Sequence, residues 1–175
     1  MRVSHEGRDP TGCDLPSFAP EAHLDVFLPN GLVRQFSLLN HPSDRKHDLL
    51  GVLRVERSRG GFQWVHESVR EGECIEVESP SNNVPLAGAQ GSLLVGGGIG
   101  ITSLLSKADE KKRRRADFQL YSCTRSREEM AFLPLIEAAE LAHHITLVHD
   151  GGDLSKGIDS QTLMVRPWVG LHVYC

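Results

Sequence analysis

SLLVGGGIGIT, residues 92–102, is the stretch that decides the fold. It reads as an apolar strand running into glycines at 96, 97, 98 and 100, followed by the helix-like ITSLLSKADEKKRR. Glycines let the backbone turn tightly and approach a phosphate, while a helix N-terminus supplies free N–H groups and a positive dipole end. Thr102 and Ser103 are placed to cap that helix or to offer a hydroxyl to the phosphate. The spacing departs from the G-x-G-x-x-G fingerprint, so a nucleotide-binding turn and a purely structural glycine turn both stand at this point.

Downstream, DFQLYSC reads as a strand and SREEMAFLPLIEAAELA as a helix with a break near Pro134. ITLVHD and the closing LHVYC are further strands. Strands alternating with helices predict a parallel sheet with crossover helices over 92–175. Upstream, the Pro-, Asn-, Ser- and Gly-rich stretch places a linker at 81–91. Over 16–80 the grammar is different. AHLDVFL, VRQFSLL, DLLGVLRVE and ECIEVES are short strands separated by turn signals such as Pro29-Asn30-Gly31, with one helix-like interval, GFQWVHESV. That pattern predicts a small antiparallel barrel. Residues 1–15 read as a turn-rich leader without a strand.

Of the 175 residues, 39% are hydrophobic and 24% charged, enough for packed cores. The net charge of -4 argues against a nucleic-acid partner. No apolar run approaches the roughly 20 residues that cross a bilayer, and MRVSHEGRDP lacks a secretory apolar stretch, so a cytoplasmic location is expected. Cys13, Cys74, Cys123 and Cys175 lack zinc or iron–sulfur spacing and are expected mostly as isolated buried thiols. The histidines, including His143, His144 and His149, show no metal-ligand spacing and are expected at surface or strand-end positions. The run Lys111 to Arg115 is expected on the exposed end of its helix, complementing the dipole, with a docking patch for an acidic electron acceptor as the alternative.

Two further constellations carry chemistry. In RQFSL the arginine, Arg34, is suited to a phosphate, Phe36 to covering a ring and Ser37 to bonding a ring nitrogen or oxygen, though an arginine in a strand is also commonly just solvated. RSRGG, residues 57–61, leads into a helix at Phe62 and suits an anion, or is a polar loop.

Taken in order, RQFSL, RSRGG and GGGIGIT resemble the ferredoxin-reductase superfamily, and more narrowly its phthalate dioxygenase reductase and vanillate demethylase reductase group. The likeness runs from PSFAPEAHLDVFLPNGLVRQFSLLN to LHVYC. It implies a flavin-binding barrel followed by an NAD(P)-binding α/β domain. Arg34, Phe36 and Ser37 match the flavin motif, and Gly60 and Gly61 the phosphate loop of FMN-binding members, with FAD as the alternative. Gly97, Gly98, Gly100 and Thr102 match the pyrophosphate turn, and Thr124, Arg125 and Ser126 the place where the family reads the adenosine ribose. Cys175 matches the cysteine near the nicotinamide–flavin contact. The implied reaction is hydride transfer from NADH or NADPH to the flavin, then single electrons to an iron–sulfur protein or oxygenase component, with no side-chain acid or base. The 2Fe–2S centre expected of full-length relatives has no ligands in this chain.

Phe36 replaces the family's usual Tyr, Phe62 a Ser, and Ser103 a Pro. The resemblance also implies an opening barrel strand before LPSFAPEAHLDV and, after Cys175, more sheet and a ferredoxin-like domain. On that expectation both folds are incomplete, stability and flavin affinity are reduced, and a non-catalytic remnant or nucleotide-binding module is the rival function.

Overall fold

The computed structural model describes residues 2–53, 61–82, 91–130, 132–138, 140–159, 161, 163 and 170–175. The chain divides into two compact units, Met1–Pro85 and Leu86–Cys175.

The first unit is built of antiparallel strands. β1 (Arg2–Gly7) pairs with β4 (Asp48–Leu53), and β2 (His23–Phe27) lies between β3 (Val33–Ser37) and the short β5 (Glu76–Val77). An isolated bridge from Leu38 to Leu50 connects the β3 end with β4. α1 (Gly61–Ser68) contributes Val65 to a core that includes Leu24, Val26, Phe36, Leu38 and Val52. Burying each such side chain is worth about 1.5–3 kcal/mol. β1 corrects the expectation of a strandless leader. RVSHEG lacks a continuous apolar run, but six consecutive residues find register partners on β4, so the ladder comes from long-range pairing. The remainder of the leader is tied down by polar contacts: Lys46 Nζ bonds Asp14 at 2.8 Å and Gly12 O at 3.1 Å, and Arg45 donates to Leu15 O.

The second unit is a four-stranded parallel sheet in the order β8-β7-β6-β9, comprising β6 (Gly91–Gly97), β7 (Asp117–Thr124), β8 (Ile145–His149) and β9 (Leu171–Tyr174). α2 (Ile101–Arg113) crosses from β6 to β7 and buries Ile101, Leu104, Leu105 and Ala108. On β7, alternate residues Phe118, Leu120, Ser122 and Thr124 are buried. α3 is confined to Leu133–Ala138. The longer helix predicted from SREEMAF onward does not form. Phe132 takes a left-handed φ of 60°, which interrupts any helix there, and Pro134 sits in the first turn of α3, where a missing N–H costs nothing.

Two other expectations are corrected. Cys13, Cys74 and Cys175 are exposed and Cys123 is half-buried, so the thiols are not core residues. Lys111 is only 2% exposed, and Lys107, one turn earlier, is fully buried with its ammonium 3.1 Å from the Tyr174 ring centroid. Lys112 pairs with Glu140 and Arg114 with Glu110. The correction applies to Lys111 alone: Lys112 is half-buried, and Arg113, Arg114 and Arg115 are exposed at the end of α2 as expected, so the exposed cations form a shorter patch than the full run. Among the described residues no helix is long and apolar enough to cross a membrane.

Candidate functional site

In the first unit two of the predicted flavin residues, Arg34 and Gly61, meet at the start of α1. Gly61 is buried, and a Cβ built there would collide with Arg34 Nε and lie 2.9 Å from Arg34 Cγ and 3.0 Å from its Cζ. Only glycine lets the arginine lie across the helix start. Arg34 Nη1 also donates to Val33 O at 2.8 Å, which steadies the guanidinium. A cation beside the positive dipole end of a helix makes an electropositive corner suited to a phosphate. Phe36 is 4% exposed and meets Phe62 edge-on, centroids 5.8 Å apart at 78°. Its ring is part of the core, and the Phe62 that departs from the family pattern is its partner. Ser37 is half-buried at the end of β3. Gly60, with Arg57, Ser58 and Arg59, lies outside the described residues.

In the second unit β6 runs into a 3-10 turn, Gly98–Gly100, which leads directly into α2. Gly98 has φ 56°, a conformation that glycine takes without steric cost. Cβ atoms built at Gly98 and Gly100 meet nothing within 4 Å, and one at Gly97 comes only within 3.9 Å of Cys123 O. The space over the turn is open. Gly100 is the N-cap of α2; Ile101 N–H is taken by Ile99 O, and no side chain caps the helix, which leaves the following first-turn N–H groups uncapped by any side chain. Thr102 Oγ1 donates to Ile99 O at 2.9 Å and Ser103 Oγ to Gly100 O at 3.2 Å. Both hydroxyl protons are thus spent on the turn itself, and Thr102 is buried. Gly96, which lies outside the set of site residues predicted from sequence, is more confined than Gly97, Gly98 or Gly100: its Cβ would lie 3.1 Å from Ile101 Cα.

At the carboxyl end of β7, Thr124 Oγ1 donates to Ser126 O at 2.9 Å and lies 3.0 Å from His149 Nδ1 at the end of β8. Arg125 and Arg127 are exposed, and Arg127 pairs with Glu137 at 3.2 Å. The Ser126 hydroxyl bonds Glu128, and this, with the nearby Arg127 and His149, holds the Glu128 carboxyl below the usual range. Burial, then the charge of Asp150, pushes the Cys123 thiol up, so it is not an activated nucleophile. Cys175 is exposed directly after β9. The sequence marks His149 only as a strand-end residue. Its signal there is slight, because its meaning depends on the lateral pairing of Thr124 with His149 in the β7–β8 register.

Comparison with known proteins bears on both sites. No family model matches the chain. It is 39% identical over 161 residues to a vanillate O-demethylase oxidoreductase of a Pseudomonas strain, covering 91% of this chain and 51% of that protein. It is 36% identical over 174 residues to phthalate dioxygenase reductase of Burkholderia cepacia, covering 98% and 54%. A solved phthalate dioxygenase reductase, described as a modular structure for electron transfer from pyridine nucleotides to [2Fe–2S], superposes with a TM-score of 0.94 over 99% of this chain and 55% of that one. The chain spans about half the length of the curated relatives it matches. On this agreement in sequence and backbone, the chain belongs to the phthalate dioxygenase reductase and vanillate O-demethylase oxidoreductase group of ferredoxin-reductase-like proteins.

Proposed function

We propose that the chain is the flavin- and pyridine-nucleotide-binding part of a cytoplasmic NAD(P)H-dependent oxidoreductase. It delivers single electrons to the iron–sulfur centre of an oxygenase or demethylase component. The observation that carries the reading is the occurrence, in one chain, of two separate anion corners of different construction. One is Arg34 across the glycine start of α1, and the other is the open glycine turn ahead of the uncapped α2.

Each corner fits the phosphate group assigned to it. Arg34 and the α1 start hold the flavin phosphate, with Gly60 and Gly61 as the loop and FMN preferred over FAD because the RGG sequence suits a single terminal phosphate. Ser37 hydrogen-bonds the flavin ring, and Phe36 supports that strand from the core side. Gly97, Gly98 and Gly100 give the dinucleotide pyrophosphate room to approach the α2 N–H groups, while Thr102 fixes the turn from below. Thr124, Arg125 and Ser126 meet the adenosine ribose, and Cys175 stands at the nicotinamide end. A bound flavin supplies the conversion of one hydride into two single electrons. The residues themselves bind and orient, and none is required as an acid or base.

The test is the absorption spectrum of the chain reconstituted with FMN or FAD, before and after anaerobic addition of NADH. Flavin bands that co-purify with the chain and bleach with NADH are expected, followed by reduction of a dye or added ferredoxin. A chain that retains no flavin refutes the assignment. Retained flavin without bleaching or turnover supports the rival module without catalysis.

A further inference from the structure

Two lysines of α2 are buried where an apolar side chain would serve the packing equally well. Lys107 and Lys111 extend the buried stripe of Ile101, Leu104 and Ala108 and are 0% and 2% exposed. A lysine on a helix ordinarily keeps its ammonium in water, and taking the charge inside is costly unless something there receives it. Here the ammonium of Lys107 stands 3.1 Å from the centroid of the Tyr174 ring, and that of Lys111 5.8 Å from the same point. Aliphatic packing has no preferred centre, whereas a cation over a ring face is drawn to the middle of it.

Tyr174 is the last rung of the ladder that β9, an outer strand of the described sheet, makes with β6. The register runs from Gly91↔Leu171 to Leu94↔Tyr174, and Cys175 follows beyond it. Successive side chains of a strand point to opposite faces, so with Tyr174 against α2 the alternation carries the exposed Cys175 toward the other face of the sheet. His172, two residues back, shares the Tyr174 face, the two rings tilted with centroids 6.3 Å apart. β6 beside the strand and the Lys107 ammonium over its final ring together hold the strand end that leads to Cys175.

We infer that Lys107 is a positioning residue for the hydride-transfer end of the nucleotide site, fixing Cys175 through the Tyr174 ring. The inference rests on the reading that places Cys175 at the nicotinamide. α2 then serves both ends of the dinucleotide: its first turn faces the pyrophosphate, and Lys107 in its second turn secures the strand end at the nicotinamide. The clamp joins two elements already packed within one unit, so it is in place before any ligand arrives. Such preorganisation matters for a transfer between two rings, because a misplacement of about 1 Å can slow a reaction by about a hundredfold.

The experiment uses the full chain with bound flavin. It reads hydrogen exchange of the β9 amides, flavin bleaching at saturating NADH, and affinity for ADP-ribose, which has the pyrophosphate but no nicotinamide. Lys107→Met keeps the length of the side chain and removes the charge; exchanging a buried charge for an apolar group is often neutral or stabilising, so its melting temperature should hold. β9 exchange should nonetheless be about tenfold faster and bleaching about tenfold slower, with ADP-ribose affinity within about twofold of wild type. Tyr174→Leu should change exchange and bleaching in the same way, whereas Tyr174→Phe retains the ring face and should keep wild-type values. A Lys107→Met chain with wild-type exchange, or with faster exchange and wild-type bleaching, overturns the inference. So does a parallel fall in melting temperature, ADP-ribose affinity and bleaching, which is the pattern of a purely structural lysine. A wild type that retains no flavin or is not bleached by NADH overturns the hydride reading and this inference with it, a result distinct from wild-type bleaching that Lys107→Met leaves unchanged. If Tyr174→Leu is poorly folded, Lys107→Met against Tyr174→Phe decides the matter.

Discussion

Gly96→Ala and Gly100→Ala form a pair that separates the packing of the nucleotide turn from its use. At Gly96 the added methyl would lie 3.0 Å from Leu104 Cδ1, 3.1 Å from Ile101 Cα and 3.3 Å from Ile101 Cδ1. Leu104 Cδ1 is the far end of a flexible side chain and can move aside. Ile101 Cα is backbone at the first residue of α2, so relief requires the helix to shift off β6. Overpacking of this kind costs about 1–3 kcal/mol, and the immovable backbone contact argues for the upper half of that range. In a unit of this size about 2 kcal/mol lowers the melting temperature by roughly 8–16 °C. Gly100 is the opposite case: its φ is -60° and ψ -13°, and its methyl would meet nothing. Gly100→Ala should therefore hold or raise stability by about 0.4–1 kcal/mol through the unfolded chain. Its methyl nonetheless enters the open space over the turn and should weaken ADP-ribose binding at least tenfold. Thermal melts and calorimetric titration of both variants are the assay. A Gly100→Ala protein that binds normally, or a Gly96→Ala protein that melts like wild type, would refute the reasoning.

Gly61→Ala should displace Arg34 from the start of α1 and abolish flavin retention, since the new methyl and the guanidinium occupy the same space; flavin content per chain reads this directly. Ser92 is completely buried on β6 with an unpartnered hydroxyl, so Ser92→Ala should stabilise the second unit by about 1 kcal/mol in urea denaturation, against the usual sign for a core change. Asp48 is buried with Oδ1 unpartnered, and burial, then the charge of Asp44, raises its carboxyl. A raised carboxyl adds stability that is full at low pH and lost as pH rises through its folded value. Asp48→Asn should thus stabilise the first unit at neutral pH, with the gain shrinking toward about pH 4. His5 has the reverse dependence. Burial, then the charge of His66, lowers its pKa, so its contribution is present above about pH 6.5 and is lost as pH falls; His5→Gln should flatten the acid limb of denaturation curves recorded below that value.

The parts of the fold legible in the sequence are those set by local pattern. GGGIGIT announces a strand, a tight turn and a helix because each step depends on neighbours within a few residues, and β6, the 3-10 turn and α2 follow that order. β1 is not legible, because RVSHEG has no strand pattern of its own and is held by a distant partner, β4. α3 escapes for a different reason. SREEMAF has helical composition, but the left-handed Phe132 places the helix start after it and makes Pro134 an initiator where the sequence suggests a break. The buried Lys107 and Lys111 are hidden by their charge, since only the β9 register brings the Tyr174 ring over them.

The candidate sites divide along the same line. Glycine positions can be read because absence of a side chain is a local statement, and the open space at Gly98 and Gly100 is what that statement means in three dimensions. The role of Gly61 requires both ends of a contact, since its need for glycine comes from Arg34 on another strand. The hydroxyls mislead in an instructive way. Their position after the glycines suggests Thr102 and Ser103 as phosphate donors, yet each gives its proton to a carbonyl of the turn, so the proposed anion contact would fall to N–H groups of the α2 first turn. Thr102→Val tests this division of labour. It removes the bond to Ile99 O while keeping shape, so it should cost about 1 kcal/mol of stability and leave ADP-ribose affinity within about twofold. A large loss of affinity with unchanged stability would return the hydroxyl to the ligand.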